Sequence, residues 1–178
     1  MAQLEAVESE IKRADAVRGL KGEYFNLGRG SDDWKNCFHA SPVVTRVDPQ
    51  IHFYPNWYGF PAYGALPIGV NREYFAVRWT GEVRAPIAGG YLFRAHSDNG
   101  LRVWVNSILV IDHWSQSDVI DETSKQAIQL TKGQRYPIKV EYLQGWGDAH
   151  LTLHWKLSDP ADLGVWQIIP QECLIPAR

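Results

Sequence analysis

The stretch that decides the fold is GYLFRAHSDNGLRVWVNSILVIDHW, residues 90–114. It contains three runs in which apolar residues alternate with polar or aromatic ones. In the middle run, Leu101, Val103 and Val105 fall on one side of an extended chain, and their neighbours fall on the other. A period of two is typical of a β-strand with one buried face. The stretch therefore predicts consecutive antiparallel strands.

The same alternation recurs along most of the chain, with clusters of Gly, Pro and polar residues between the runs. Further strands are predicted at residues 21–25, 43–47, 51–55, 74–86, 125–130, 136–143, 149–155 and 165–170. Many short strands separated by turn residues predict an all-β fold, an antiparallel sandwich or barrel. Residues 1–18 differ, because Leu4, Val7 and Ile11 have helical spacing. We expect a short N-terminal helix or linker there, and one β domain over residues 19–178.

The charge balance and the hydropathy pattern exclude two classes of partner. The 178 residues include 18 Lys and Arg against 20 Asp and Glu, so no basic excess favours nucleic acid. No apolar run is long enough to insert into a membrane, and the N-terminus lacks the apolar segment of a signal peptide. We expect a domain excised from a longer chain. The two cysteines, Cys37 and Cys173, leave one disulfide or two separate thiols as alternatives.

The familiar catalytic motifs are missing from the sequence. His150 and His154 resemble a metal-ligand pair, but four residues of a strand span about 13 Å, too far for one ion. His39, His96 and His113 are isolated in sequence, and we expect structural roles for them. The carboxylates at 32–33, 118 and 121–122 fall in predicted loops, where charged residues are common. The sequence predicts no catalytic residue and no enzyme activity.

Two polar loops could instead share a ligand. The first contains Asp98 and Asn99, and Asn99-Gly100 is typical of a tight hairpin turn. The second, residues 143–150, contains Gln144, Trp146 and Asp148. Either loop could simply close a hairpin. If both lie at one end of the sandwich, their side-chain oxygens suit Ca²⁺, and Trp146 could stack on a pyranose ring.

The order of these segments resembles the protective-antigen-fourteen domain, a module named after the protective antigen of anthrax toxin. GLKGEYF at 19–25 resembles its opening strand, and residues 75–114 resemble its most diagnostic block. LTKGQRYPIKVEYLQGWGDAHLTLHW at 130–155 resembles its closing block, and IIPQECL at 168–174 its last strand. The resemblance covers the chain from Gly19 onward and implies a β-sandwich with Greek-key features.

The resemblance also implies a site. Sugar-binding members of the family hold Ca²⁺ with two adjacent aspartates joined by a cis peptide, and the ion holds the glycan. The first of these falls on Asp98 and the second on Asn99, a departure that should weaken the affinity for Ca²⁺. We expect metal ligands at Asp98, Asn99, Gln144 and Asp148. The expected carbohydrate contacts are Trp146, Asp98 and Asn99, with Trp57, Tyr58 and Trp114 at the rim.

The function predicted from these observations is a non-catalytic, Ca²⁺-dependent carbohydrate-binding or adhesion module. Its expected partners are a glycan or cell-surface polysaccharide and other domains of a longer parent chain, and its expected location is extracellular or at the cell surface. Two alternatives stay open. One is a structural or assembly domain of a toxin or surface protein, and the other is an accessory insert of a glycosidase.

Overall fold

The computed structural model describes residues 17–30, 32–53, 66–158 and 164–178. The predicted N-terminal helix falls almost entirely on residues 1–16, outside these ranges. The strands are β1 (Leu20–Asn26), β2 (Val44–Asp48), β3 (His52–Phe53), β4 (Phe75–Arg84), β5 (Gly89–Asp98), β6 (Gly100–Val105), β7 (Ile108–His113), β8 (Val119–Thr123), β9 (Ile128–Leu130), β10 (Arg135–Gln144), β11 (His150–Leu157), β12 (Gln167–Ile168) and β13 (Leu174–Pro176). Short 3₁₀ helices span Asp32–Asn36 and Gln171–Cys173.

The strands form two antiparallel sheets. The first sheet has the order β2-β1-β4-β10-β6-β7, with β13 also paired to β4. The second has the order β12-β11-β5-β8, with β3 added to β11 and β9 to β5. The prediction of an all-β antiparallel fold is therefore confirmed.

The core lies between the sheets and is built by the alternation seen in the sequence. Odd-numbered residues of β5 point inward, so Phe93 is fully buried while its neighbours are partly exposed. Trp79 from the first sheet and Phe53 from the second stack with ring centroids 5.5 Å apart. Burying aromatic side chains of this size contributes a large share of the stability of a sandwich.

One charged group is buried with its partners. The carboxylate of Asp48 accepts hydrogen bonds from the Tyr24 hydroxyl at 2.5 Å and from the Trp79 indole at 2.7 Å. Arg46 Nε lies 2.7 Å from the other carboxylate oxygen. Both oxygens of Asp48 are thus satisfied by groups of the protein, as a buried carboxylate requires.

The connections at one end of the sandwich cross between the sheets. The links β5–β6, β7–β8 and β10–β11 each leave one sheet and enter the other. The alternative in which Asn99-Gly100 and residues 143–150 close hairpins is therefore wrong, because their flanking strands do not pair. A true two-residue hairpin joins β6 to β7, where Asn106 and Ser107 have φ of 51° and 64°. Positive φ at both positions is characteristic of a type I′ turn.

A smaller apolar cluster covers the outside of the first sheet near these crossovers. Its buried members are Leu27, Cys37, Ala76 and Leu143, with Trp34, Phe38, Tyr74 and Trp114 packed around them. Cys173 belongs to the main core instead. Both cysteines are buried and free, which decides the open question in favour of two separate thiols.

The first and last strands of the sandwich, β1 and β13, lie next to each other. The Gly19 amide donates to the Leu174 carbonyl at 3.2 Å, and β1 and β13 both pair with β4. In the parts of the chain that the structure describes, no helix has the length and apolar character needed to cross a membrane.

Candidate functional site

The two loops singled out in the sequence meet at the crossover end of the sandwich. The Asn99 amide donates to the Leu143 carbonyl at 3.3 Å, and the Gly145 amide donates to Asn99 Oδ1 at 2.8 Å. The Tyr142 hydroxyl donates to the Asp98 carbonyl. These bonds fix the first loop directly against the second, as the possibility of a shared ligand requires.

A third crossover packs on the same loops and explains two of their glycines. A Cβ atom on Gly100 would lie 2.6 Å from the Ser115 carbonyl oxygen, and one on Gly145 would lie 2.3 Å from the Gln116 carbonyl oxygen. Both distances are shorter than packed atoms allow, so any larger residue would displace the loop between β7 and β8. Glycine is needed at these positions for close backbone approach.

The carboxylates of Asp98 and Asp148 repel each other at the centre of this end. The pKa of Asp98 is raised, first by burial and second by the negative charge of Asp148. A hydrogen bond of 2.5 Å from Asn99 Nδ2 and the charge of His96 act in the opposite direction. The peptide bond between Asp98 and Asn99 is cis. The site therefore carries negative charge that the protein compensates only in part.

The amide side chains of Asn99 and Gln144 have partners within the protein. Asn99 accepts from Gly145 and donates to Asp98. Gln144 is completely buried, and its Nε2 donates to the Asp148 carbonyl at 2.9 Å. Its Oε1 lies 2.5 Å from the Tyr142 hydroxyl, which shares its single hydrogen between Gln144 and the Asp98 carbonyl. These two residues, predicted as metal ligands, thus have a first role in holding the loops around the two carboxylates.

The aromatic candidates differ in their surroundings. Trp146 is 64% exposed, and the next residue is anchored because the Gly147 amide donates to Glu73 Oε1 at 3.0 Å. Trp114 instead packs in the outer cluster, where its Nε1 donates to the Trp34 carbonyl and Arg102 lies over its ring. The ring of Trp114 is therefore engaged in packing, whereas Trp146 is available to a ligand. Trp57 and Tyr58 lie outside the described residues.

The donor chemistry of the site suits a hard cation. The two loops bring the side-chain oxygens of Asp98, Asn99 and Asp148 to the site, and oxygens are the ligands that Ca²⁺ prefers. A cation between Asp98 and Asp148 would also relieve the repulsion that raises the pKa of Asp98. Among the described residues, no group of three or more His, Cys, Asp or Glu side chains is arranged to hold a metal ion. Further oxygens would have to come from amides, main-chain carbonyls or a ligand.

Two histidines, His96 and His150, border the site, although the sequence did not predict that they would lie there. His150 is the cross-strand partner of Asp98, and its ring lies 4.4 Å from that of His96. His96 and Asp98 share the outer face of β5 because they are two residues apart. The spacing within β5 could have predicted that His96 lies near Asp98. The position of His150 next to Asp98 depends on the register between β11 and β5.

The chain matches the family model described as the PA14 domain over residues 17–165. It is 33% identical over 159 residues to anti-sigma-I factor RsgI3 of Acetivibrio thermocellus, covering 89% of this chain and 21% of that protein.

Solved structures show the same similarity. An anti-sigma factor domain-containing protein from Clostridium clariflavum superposes with a TM-score of 0.72 and 31% identity, over 90% of this chain and 48% of that one. A PA14 sugar-binding domain from an RTX adhesin gives a TM-score of 0.72 at 22% identity, over 90% of this chain and 99% of that one. The chain thus spans less than half of the two anti-sigma-factor proteins and nearly all of the adhesin domain. With its family match over most of its length, this chain belongs to the PA14 domain family.

Proposed function

We propose that this domain binds carbohydrate at its crossover end in a Ca²⁺-dependent manner. The observation that carries the proposal is the contact between two loops, one with Asp98 and the other with Asp148 and the exposed Trp146. The similar domain from the RTX adhesin is described as sugar-binding, which supports the same function here. The proposal also places the domain outside the cell, where polysaccharides are encountered.

In this proposal Asp98 and Asp148 supply the charged ligands of the ion, and Asn99 and Gln144 hold the loops that carry them. Bound Ca²⁺ would offer open coordination positions to the vicinal hydroxyls of a sugar. Trp146 supplies an apolar surface beside those hydroxyls. Because the protein contributes few oxygens, the sugar completes the coordination, and each ligand should increase the affinity for the other.

The test measures thermal unfolding and glycan binding in parallel. Added Ca²⁺ should raise the Tm of the wild-type domain, and a glycan array should show binding that EGTA abolishes. Asp98→Ala should lose both responses. Asp112→Ala, which removes an exposed carboxylate on β7 that is paired with Arg102 on β6, is the matched control and should keep both. A wild-type domain that shows no heat with millimolar Ca²⁺ and no EGTA-sensitive glycan would contradict the proposal.

A second candidate function is assembly within a longer chain, without a sugar ligand. It is favoured by the similarity to two anti-sigma-factor proteins, of which this chain spans less than half. In that case the glycan array would be blank with and without Ca²⁺, and Asp98→Ala would behave like Asp112→Ala.

A further inference from the structure

The outer face of the second sheet carries a shallow cavity of about 300 Å³. The residues at its base are cross-strand neighbours, arranged in rows by the register of β5, β8 and β11. His96 on β5 lies between Thr152 on β11 and Asp121 on β8, and the next row pairs Arg94 with His154. Rows on one face of a sheet are about 7 Å apart. The cavity therefore presents polar side chains at regular intervals across several strands.

The cavity contains an ion pair, formed by Arg94 and Asp121. Arg94 binds Asp121 through two hydrogen bonds of 2.7 and 2.5 Å, which holds both side chains in place. The pKa of His154 is lowered, first by burial and then by the positive charge of Arg94. A neutral imidazole can both donate and accept a hydrogen bond. The cavity thus combines a matched ion pair with side chains that donate and accept hydrogen bonds, which suits an uncharged polyhydroxyl ligand.

An aromatic side chain completes the lining. Trp166 borders the cavity together with Ile168 from β12, and Lys156 Nζ lies 4.9 Å from the centre of the Trp166 ring. The apolar surface of an indole next to fixed hydrogen-bonding groups matches the two sides of a pyranose ring, one apolar and one covered with hydroxyls.

The cavity is continuous with the crossover site. Arg94, His96 and Asp98 follow each other along the outer face of β5, and from the first to the last the strand extends about 13 Å. His150, beside Asp98, packs its ring against His96 and fills the step between the two areas. This length exceeds that of a single sugar ring, so a monosaccharide at the crossover end would leave the cavity empty.

We propose that the outer face of the second sheet is an additional subsite for an uncharged oligosaccharide, whose chain runs along β5 and β11 from the crossover end to Trp166. The proposal rests on the proposed function for the end of the oligosaccharide that would bind at Asp98. The subsite itself depends on Arg94, Asp121, His154 and Trp166, none of which belongs to the crossover loops.

The test is calorimetric titration with β-1,4-linked oligomers of glucose, xylose and mannose, from monomer to hexamer, with Ca²⁺ present. Affinity should rise with chain length. Trp166→Ala should weaken hexamer binding about tenfold and leave monomer binding unchanged. His154→Gln, a milder change, should weaken the hexamer in the same selective way. Trp104→Ala is the matched control, because Trp104 on the first sheet also lies under a lysine, with Lys139 Nζ at 3.7 Å from its ring. This control should bind like the wild type.

The outcomes separate the two proposals. If Ca²⁺-dependent binding is present but indifferent to chain length and to Trp166→Ala, the subsite is refuted and the crossover site stands. If the hexamer binds, depends on Trp166 and ignores both Asp98→Ala and EGTA, the subsite stands and the proposed function fails. If no oligomer binds the wild-type domain, the subsite is refuted, and the crossover site is judged by the glycan array and the Ca²⁺ titration alone.

Discussion

Asp48 and Asp98 are two aspartates in different surroundings, because Asp48 is buried and Asp98 is partly exposed. One oxygen of the buried Asp48 accepts hydrogen bonds from Tyr24 and Trp79, and the other forms an ion pair with Arg46. Asp98 receives a hydrogen bond from Asn99 and faces a second carboxylate, Asp148, which helps to raise its pKa. The first group is paired within the protein, whereas the second is the residue that we propose as a cation ligand. This difference distinguishes a carboxylate that stabilises the fold from the proposed ligand-binding carboxylate.

The largest effect is expected from removing the satisfied carboxylate. Asp48→Ala leaves the Trp79 indole and the Tyr24 hydroxyl buried without their acceptor, so the free energy of unfolding should fall by about 3 kcal/mol. Urea denaturation should show this loss equally with and without Ca²⁺. Asp112→Ala breaks only an exposed ion pair and should change stability by less than about 1 kcal/mol. Similar urea midpoints for Asp48→Ala and Asp112→Ala would contradict the stabilising role assigned to Asp48.

An intermediate effect is expected from Gly145→Ala. The added Cβ would lie 2.3 Å from the Gln116 carbonyl oxygen and would displace the amide that holds Asn99. Overpacking of this kind should lower the free energy of unfolding by about 2 kcal/mol and also weaken the response to Ca²⁺. Gly147→Ala is the control, because nothing lies within 4 Å of its added Cβ. Its φ of +83° should cost about 1 kcal/mol without disturbing the Asp98 loop. Equal Ca²⁺ responses in both variants would contradict this view of Gly145.

The smallest effect, and one of opposite sign, is expected from Asp98→Asn without Ca²⁺. A carboxyl whose pKa is raised by folding lowers stability above its folded pKa, and this penalty disappears below its unfolded pKa of about 4. The variant should therefore be slightly more stable than the wild type at pH 7 and equal to it near pH 3. Denaturation in EGTA at the two pH values measures the difference. A variant that is less stable at pH 7 would show that Asp98 is satisfied after all.

The fold was largely predictable because alternation reveals which residues face the core. It does not reveal which sheet a strand joins, so Asn99-Gly100 was predicted to close a hairpin when it links two sheets. The strand β8 was missed because Asp121 and Glu122 gave its segment the composition of a loop. Only the alternation around the buried Ile120 marks it as a strand.

The candidate site was predictable only in part. Asp98, Trp146 and Asp148 stand out by loop composition and by resemblance to the family. The hydrogen bond of Asn99 with Gly145 depends on a contact between loops that no local pattern encodes, and that of Gln144 with the Asp148 carbonyl depends on the conformation of its own loop. The cavity at His154 and Trp166 depends on the register of β5, β11 and β12, which places residues far apart in sequence side by side.

The adjacency of Gly19 and Leu174 has an evolutionary consequence. Both lie beside the far part of β4, about 20 Å along that strand from the crossover loops. A unit whose two ends meet can be inserted between neighbouring residues of a host chain without separating them, and here it would present its crossover loops away from the host. Such a unit can be transplanted among unrelated architectures, and its loops can diversify independently of whatever protein carries it.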